Sequence, residues 1–148
     1  MTRKAAVARA EAYFDSGELR RDLARRVAIR TESQNPDSAP FLAEYLAAEM
    51  TPAFEAMGFA CETLVAGGWR FLLAERIEDA ALPTTLGYGH GDVIRGLDDG
   101  WEKGLSPWQL TDRDGRWYGR GVADNKGQHS SAALDLARQS VALACCRF

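Results

Sequence analysis

A histidine and a carboxylate two residues apart are the first sign of chemistry in this sequence. His90 and Asp92 lie in a glycine-rich run, residues 87–92, that directly follows an apolar stretch. In an extended chain, side chains at positions i and i+2 point to the same side. A carboxylate placed there can accept one imidazole N–H and leave the other ring nitrogen free for a metal ion. The alternative for so short a motif is a loop histidine that forms an ion pair with the aspartate.

A second glycine-rich run, residues 118–127, places Asp124 directly before a predicted helix. Its glycines allow unusual backbone angles, so such a loop can direct one carboxylate into a cleft. The alternative is that Asp124 or Asn125 simply caps the helix, since short polar side chains favour that position. Taken alone, this run favours the cap. The other histidine, His129, lies on the predicted helix and is interpreted as a surface residue or a residue behind the site.

The helices that must position these residues are predicted from hydrophobic periodicity. Ser16 is the predicted N-cap of a helix whose apolar residues recur every four positions: Leu19, Leu23 and Val27. Ser38 begins a second helix, whose apolar stripe continues to residue 57. Pro52 should kink or interrupt that helix, and Gly58 should end it.

Strand-like patterns follow the helices. Strands are predicted over residues 61–65, 69–77, 84–89, 108–111 and 116–118. Gly67 and Gly68 join the first two strands as a hairpin, and the third strand leads directly into His90. From Lys126 onward the chain is predicted to be helical again. Helices, then strands, then a helix indicate one α/β domain with a mixed sheet over residues 1–148.

Composition excludes several classes of function. The 148 residues include 18 basic and 21 acidic side chains, for a net charge of −3, and no basic face predicts a nucleic-acid partner. No apolar run reaches the roughly 18 residues that a membrane helix needs. The three cysteines, Cys61, Cys145 and Cys146, do not resemble a disulfide framework. We therefore expect a protein of the reducing cytoplasm.

The two glycine-rich runs are far more specific when taken together. The stretch from Leu86 to His129 resembles the zinc-dependent metallopeptidase and deacylase family that includes succinyl-diaminopimelate desuccinylase, acetylornithine deacetylase, glutamate carboxypeptidase and aminoacylase. A weaker resemblance extends from about Val27 to Arg76. The separation of 34 residues between His90 and Asp124 fits the family's spacing between its first metal histidine and its metal-bridging aspartate.

The resemblance implies a role for each residue of the motif. His90 is similar to the histidine ligand of one metal, and Asp124 to the carboxylate that bridges two. Asp92, the predicted catalytic-site residue, is similar to the aspartate that orients the histidine. Asn125 stands where many family members have aspartate, and the Asp124–Asn125 peptide is expected to be cis. The implied cofactor is one or two zinc ions, with cobalt or manganese as alternatives. The implied reaction is hydrolysis of an amide in a small peptide or an N-acyl amino acid.

The sequence departs from the family pattern after Asp124. The family's catalytic glutamate comes later, in a Glu-Glu pair, whereas the 24 residues after Asp124 contain no glutamate and one acid, Asp135. The remaining carboxylate ligand, the second metal histidine and the lid or dimerisation domain of the family also come later. We therefore expect the N-terminal half of a catalytic domain, with weak metal binding and little activity alone. A non-enzymatic truncated or frameshifted product is one alternative, and a residual metal- or peptide-binding module is another.

Two structural expectations follow. His90 and Asp124 should converge at one cleft, because a shared metal requires it. An incomplete sheet would leave strand edges unpaired and apolar residues uncovered, among them Leu134, Leu136 and Val141, which predicts self-association.

Overall fold

Helices occupy the first third of the chain in the computed structural model, which describes residues 3–81, 83–130 and 141–145. In this part of the chain the α-helices are α1 (Arg3–Asp15), α2 (Glu18–Ala28), α3 (Ala39–Glu44) and α4 (Thr51–Glu55). A 3₁₀ turn, Pro36–Ser38, precedes α3, and a π-helical turn, Tyr45–Met50, joins α3 to α4. Within the described ranges, no helix has the length and apolar character to cross a bilayer.

The beginning of α2 differs from the prediction. Its N-cap is Gly17 in the left-handed conformation, with φ at 74°, and not Ser16. That conformation carries little steric penalty for glycine, and it lets the chain turn sharply from α1 into α2. The apolar face of α2 is as predicted, because Leu23 and Val27 are buried.

Pro52 explains why residues 39–55, the second helix predicted from the sequence, do not form one regular α-helix. Proline has no N–H to donate to the carbonyl four residues earlier, and its ring clashes with that carbonyl. The chain accommodates this with the π-helical turn that ends at Met50, so the predicted interruption is confirmed. Gly58 ends the helical segment with φ at 83°.

In the described residues, six strands form a four-stranded mixed sheet and a separate hairpin. The strands are β1 (Ala60–Ala66), β2 (Trp69–Arg76), β3 (Thr85–Gly89), β4 (Thr111–Arg113), β5 (Arg116–Tyr118) and β6 (Val141–Cys145). The sheet order is β1-β2-β6-β3, in which β6 is antiparallel to β2 and parallel to β3. Strands β4 and β5 pair only with each other among the described residues. The predicted mixed α/β architecture is therefore confirmed, and the hairpin predicted at Gly67 and Gly68 forms between β1 and β2.

The predicted helix after Lys126 is wrong at its far end. Residues 126–130 are helical, but Val141–Cys145 is a strand between β2 and β3. A short run of apolar residues has no period that separates a buried strand from a buried helix. Central strands beside a parallel neighbour often have such uninterrupted apolar sequences. Leu134, Asp135 and Leu136 lie outside the described residues.

Two apolar cores flank the loops that follow β3 and β5. The larger core packs the irregular second helix against the sheet and consists of Leu42, Tyr45, Leu46, Met50, Phe54, Phe59, Leu72 and Ala74. The smaller core joins α2 to the loop region and consists of Leu23, Val27 and Leu110. Tyr45 is fully buried in the larger core, and its hydroxyl reaches the helix that begins at Lys126. The two glycine-rich runs are thus held between rigid parts of the molecule.

Candidate metal centre

His90 is the first residue beyond strand β3, and its ring is oriented by Asp92. The Nδ1 atom lies 3.0 Å from the Asp92 carboxylate oxygen Oδ1 and 3.2 Å from the Asp92 carbonyl oxygen. Both oxygens can only accept, so Nδ1 donates its hydrogen to them. In the neutral ring, Nε2 then carries an unshared electron pair. The expected orientation of the imidazole by Asp92 is therefore present in the geometry.

The loop that carries His90 is held in place by hydrogen bonds to the segment that follows α2. Thr31, which is fully buried, donates its hydroxyl to the carbonyl of Gly91 over 2.6 Å. The main chain of Val93 donates to the carbonyl of Thr31 over 2.8 Å. The segment after α2 thereby acts as a short strand-like support for the loop. This support leaves little freedom for the backbone between His90 and Val93.

Asp124 comes from the second glycine-rich run and faces the free side of His90. Its Oδ1 lies 3.2 Å from His90 Nε2, so the predicted convergence of these two side chains is confirmed. The Asp124 side chain is 82% exposed and the His90 side chain 29% exposed, so the pair opens to solvent. The Asp124–Asn125 peptide bond is cis, as the sequence predicts.

This pair has the donor chemistry that zinc prefers. An imidazole nitrogen and a carboxylate oxygen are standard zinc ligands, at about 2.0–2.2 Å from the ion. Two such ligands on one ion can be 3.2 Å apart, which is the observed separation of Nε2 and Oδ1. When Nε2 is unprotonated, both atoms present electron pairs to each other, so a cation between them relieves the repulsion. His90 and Asp124 therefore fit a metal ion as two of its ligands. Within the described ranges, no group of three or more His, Cys, Asp or Glu side chains forms a fuller set of ligands.

Asn125 and His129 complete the site, and the sequence did not reveal their contacts. The Asn125 side-chain oxygen Oδ1 accepts the main-chain N–H of His90 over 3.2 Å. The same oxygen lies 3.3 Å from Nδ1 of His129. The Nε2 atom of His129 lies 2.5 Å from the hydroxyl of Tyr45. The spacing of four residues from Asn125 to His129 on one helical face is the sequence signal that could have suggested this contact.

Burial keeps His129 neutral. The ring is 7% exposed, and burial together with the positive charges of Arg26 and Lys126 lowers the pKa of His129 from 6.5 to about 3. A neutral imidazole has one donor and one acceptor nitrogen, so its two hydrogen bonds must have opposite directions. His129 is thus buried behind the site, which is the second of the two positions that its place on the helix suggested.

Lys126 anchors the start of this helix to α2. Its ammonium group donates to the carbonyls of Arg26 and Ile29, each over 2.8 Å, at the C-terminal end of α2. It also lies 5.1 Å from the centre of the Tyr45 ring. A cation at a helix C-terminus interacts favourably with the unpaired carbonyls there. Lys126 therefore fixes the segment that immediately follows Asp124 and Asn125.

Two open cavities meet at His90 and Asp92. One, of about 310 Å³, is also lined by Arg120, Ala123 and Asp124. The other, of about 390 Å³, is also lined by Ser33, Trp69 and Tyr88. A ligand in either cavity can approach the imidazole directly. The space around His90 is large enough for a small molecule.

Comparisons with known proteins find similarity over the region that contains both His90 and Asp124. Residues 86–142 match the family described as Peptidase family M20/M25/M40. Succinyl-diaminopimelate desuccinylase of Bordetella pertussis is 43% identical over 86 residues, which are 57% of this chain and 21% of that protein. Beta-Ala-His dipeptidase of Mus musculus is 51% identical over 57 residues, which are 38% of this chain and 11% of that protein.

The fold is shared with solved structures of the same kind. Human carnosine dipeptidase 1 superposes with a TM-score of 0.80 and 25% identity, over 96% of this chain and 34% of that chain. An M20 family metallo-carboxypeptidase from Sulfolobus solfataricus superposes with a TM-score of 0.67 and 21% identity, over 86% of this chain and 30% of that chain. This chain thus spans about a third of these structures and less of the curated relatives. Residues 86–142 thus match the peptidase family M20/M25/M40, which is zinc-dependent, and this chain corresponds to part of the length of the proteins that it resembles.

Proposed function

We propose that this chain contributes a zinc site to metal-dependent hydrolysis of an amide bond, in a small peptide or an N-acyl amino acid. The observation that carries the proposal is the 3.2 Å approach of His90 Nε2 to Asp124 Oδ1, with His90 Nδ1 engaged by Asp92. Residues 1–148 would belong to one catalytic domain and form its N-terminal half.

Three side chains have distinct roles in the proposed site. In this proposal His90 and Asp124 hold the metal, and Asp124 bridges it to a second ion. Asp92 accepts the Nδ1 hydrogen, which fixes the tautomer and the orientation of the ring. Zinc, when bound, would act as a Lewis acid that polarises a carbonyl group and lowers the pKa of water to about 7. The cavities beside His90 leave room for the amide on the solvent side.

The substrate class is supported by the relatives. They include a Beta-Ala-His dipeptidase and a succinyl-diaminopimelate desuccinylase, whose names denote cleavage of a dipeptide and removal of a succinyl group. The pair of cavities at His90, of about 310 and 390 Å³, is compatible with one short residue on each side of the scissile bond. We propose small dipeptides and N-acyl amino acids as the substrates of the complete site.

The experiment combines metal binding with hydrolysis. The 148-residue chain is titrated with Zn²⁺ or Co²⁺ by calorimetry, and its hydrolysis of dipeptides and N-acetyl amino acids is then followed with and without a chelator. Binding that is abolished in H90A and weakened in D124N supports the metal site. Hydrolysis with the same dependence supports the complete function, whereas binding without hydrolysis would favour a metal-binding module. A chain that takes up neither ion would disprove the proposal.

A further inference from the structure

One amide oxygen connects the two sides of the candidate metal centre. Asn125 follows Asp124 in the chain, yet its Oδ1 accepts the main-chain N–H of His90 over 3.2 Å. His90 comes from the end of β3, and Asp124 from the loop before the last described helix. The Asn125 side chain therefore holds the backbone of one proposed ligand next to the other.

The direction of the hydrogen bonds around this oxygen is determined by chemistry. An amide oxygen only accepts, so Nδ1 of His129, at 3.3 Å, must donate to it. In the neutral ring, Nε2 then accepts from the hydroxyl of Tyr45, at 2.5 Å. The result is a chain in which Tyr45 donates to His129 and His129 donates to Asn125.

Tyr45, at the far end of this series of hydrogen bonds, is held rigidly. Tyr45 is 0% exposed in the larger core. A methyl group added at Gly91 would lie 2.2 Å from the Tyr45 ring, so the loop after His90 packs directly on that ring. Tyr45 thus contacts both the histidine loop and the helix that begins at Lys126, and neither can shift without disturbing the core.

The hydrogen bonds distinguish this arrangement from an ordinary helix cap. A capping asparagine would use its side-chain oxygen on a main-chain N–H of its own first turn. In the described residues, Asn125 Oδ1 accepts instead from His90 and from the His129 ring, and its Nδ2 donates to the side chain of Gln128. The main-chain carbonyl of Asn125 makes the first helical bond, to His129, over 3.1 Å.

We infer that Asn125 is a positioning residue that sets the separation of His90 and Asp124 for metal binding, and that Tyr45 and His129 hold Asn125 in place. This inference rests on the proposed function and deepens it. Partners that orient metal ligands typically change metal affinity 10–100-fold when they are removed. Asn125 acts on the His90 backbone, so it complements Asp92, which acts on the ring.

The test compares three substitutions in the 148-residue chain, with Co²⁺ as the probe. N125L has a similar volume but no acceptor, and its Co²⁺ affinity should fall about 10–100-fold. N125D retains an acceptor oxygen and should bind within about threefold of the wild type or more tightly. Q128A removes only the partner of Nδ2 and should leave Co²⁺ affinity unchanged. Melting temperatures of the metal-free variants separate loss of affinity from loss of folding.

The metal-free protein provides a second readout. Long-range proton–nitrogen NMR spectra should show the Nδ1–H tautomer of His129 in the wild type. In Y45F, where Nε2 loses its donor, a mixture of tautomers should appear. Y45F keeps the buried ring, so it can replace N125L as the test variant if N125L does not fold. Its Co²⁺ affinity should then be measurably lower than that of the wild type.

Each result decides the inference. N125L that binds Co²⁺ as tightly as the wild type, or N125D that binds as weakly as N125L, would overturn it. An Nε2–H tautomer in the wild type would also overturn it. If the wild type binds no Co²⁺, the proposed function fails separately. The inference is then decided by the NMR contacts between His90 and Asp124, which must be present in the wild type and lost in N125L.

Discussion

His90 Nε2 and Asp124 Oδ1 lie 3.2 Å apart, although 34 residues separate them in the chain. The opposite ring nitrogen of His90 donates to Asp92, so the nitrogen that faces Asp124 is the one able to bind a metal. Two electron-rich atoms at this distance repel each other unless a cation lies between them. The arrangement of these two atoms therefore favours a bound metal ion.

Replacement of Asp92 tests the orientation of the imidazole. In D92A the Nδ1 hydrogen loses its carboxylate acceptor, so neither the orientation nor the tautomer of the ring is fixed any longer. We expect the affinity for Zn²⁺ to fall about 10–100-fold, with little change in melting temperature. Calorimetric titration measures the affinity. D99A, at an exposed acidic position, is the matched control, and an equal loss of affinity in both variants would contradict the assigned role.

Zinc should also stabilise the folded chain. A ligand that binds only the folded state, at 100 times its Kd, raises the free energy of unfolding by about 2.7 kcal/mol. We expect a higher melting temperature with Zn²⁺, no increase in H90A, and a reduced increase in D124N. Differential scanning calorimetry with Zn²⁺ and with Mg²⁺ makes the comparison. An identical increase in H90A would show that zinc binds elsewhere.

The sequence predicted the parts of the site that depend on local pattern. His90 and Asp92 were found because their spacing places both side chains on one side of an extended chain. Gly67 and Gly68 identified the first hairpin for a similar local reason. Asp124 could be assigned only through the family resemblance, since a carboxylate before a helix is usually a cap.

The parts that sequence reasoning missed depend on tertiary packing. His129 is buried against Tyr45, which lies 84 positions earlier in the chain. No local sequence pattern reveals a contact between residues so far apart. Strand β6 was assigned to a helix because five apolar residues have no diagnostic period. Its place between β2 and β3 is determined by pairing partners far away in the chain.

Lys126 should be important for stability because its ammonium group is fully buried. K126M keeps the length of the side chain but leaves the carbonyls of Arg26 and Ile29 without this donor. Unsatisfied buried polar groups cost about 1–3 kcal/mol each, partly offset by removal of a buried charge. We expect the free energy of unfolding to fall by about 2 kcal/mol in urea denaturation. K103M, at an exposed lysine, should change it by less than about 0.5 kcal/mol.

Gly91 should tolerate no side chain. A methyl group there would lie 2.2 Å from the Tyr45 ring, which is buried and cannot move aside. We expect G91A to lower the free energy of unfolding by about 1–3 kcal/mol or more, as overpacking does in other cores. G100A is the matched control, because its nearest contact would be 3.9 Å away, at Leu97. Equal melting temperatures for the two variants would show that the ring and the loop are not packed as described.

The stability of the metal-free chain should depend on pH through His129. Its pKa is about 3 in the folded protein, against 6.5 for the ordinary side chain. Between these values the unfolded chain binds more protons than the folded chain, so the free energy of unfolding falls as the pH falls. This contribution is fully present above pH 6.5 and is lost progressively toward pH 3, at about 1 kcal/mol per pH unit. H129Q has no titrating ring, so the difference in unfolding free energy between wild type and H129Q, measured by urea denaturation from pH 7 to pH 4, should shift steadily against the wild type. A difference that stays constant over this range would mean that folding does not lower the pKa of His129, and that burial does not keep its ring neutral.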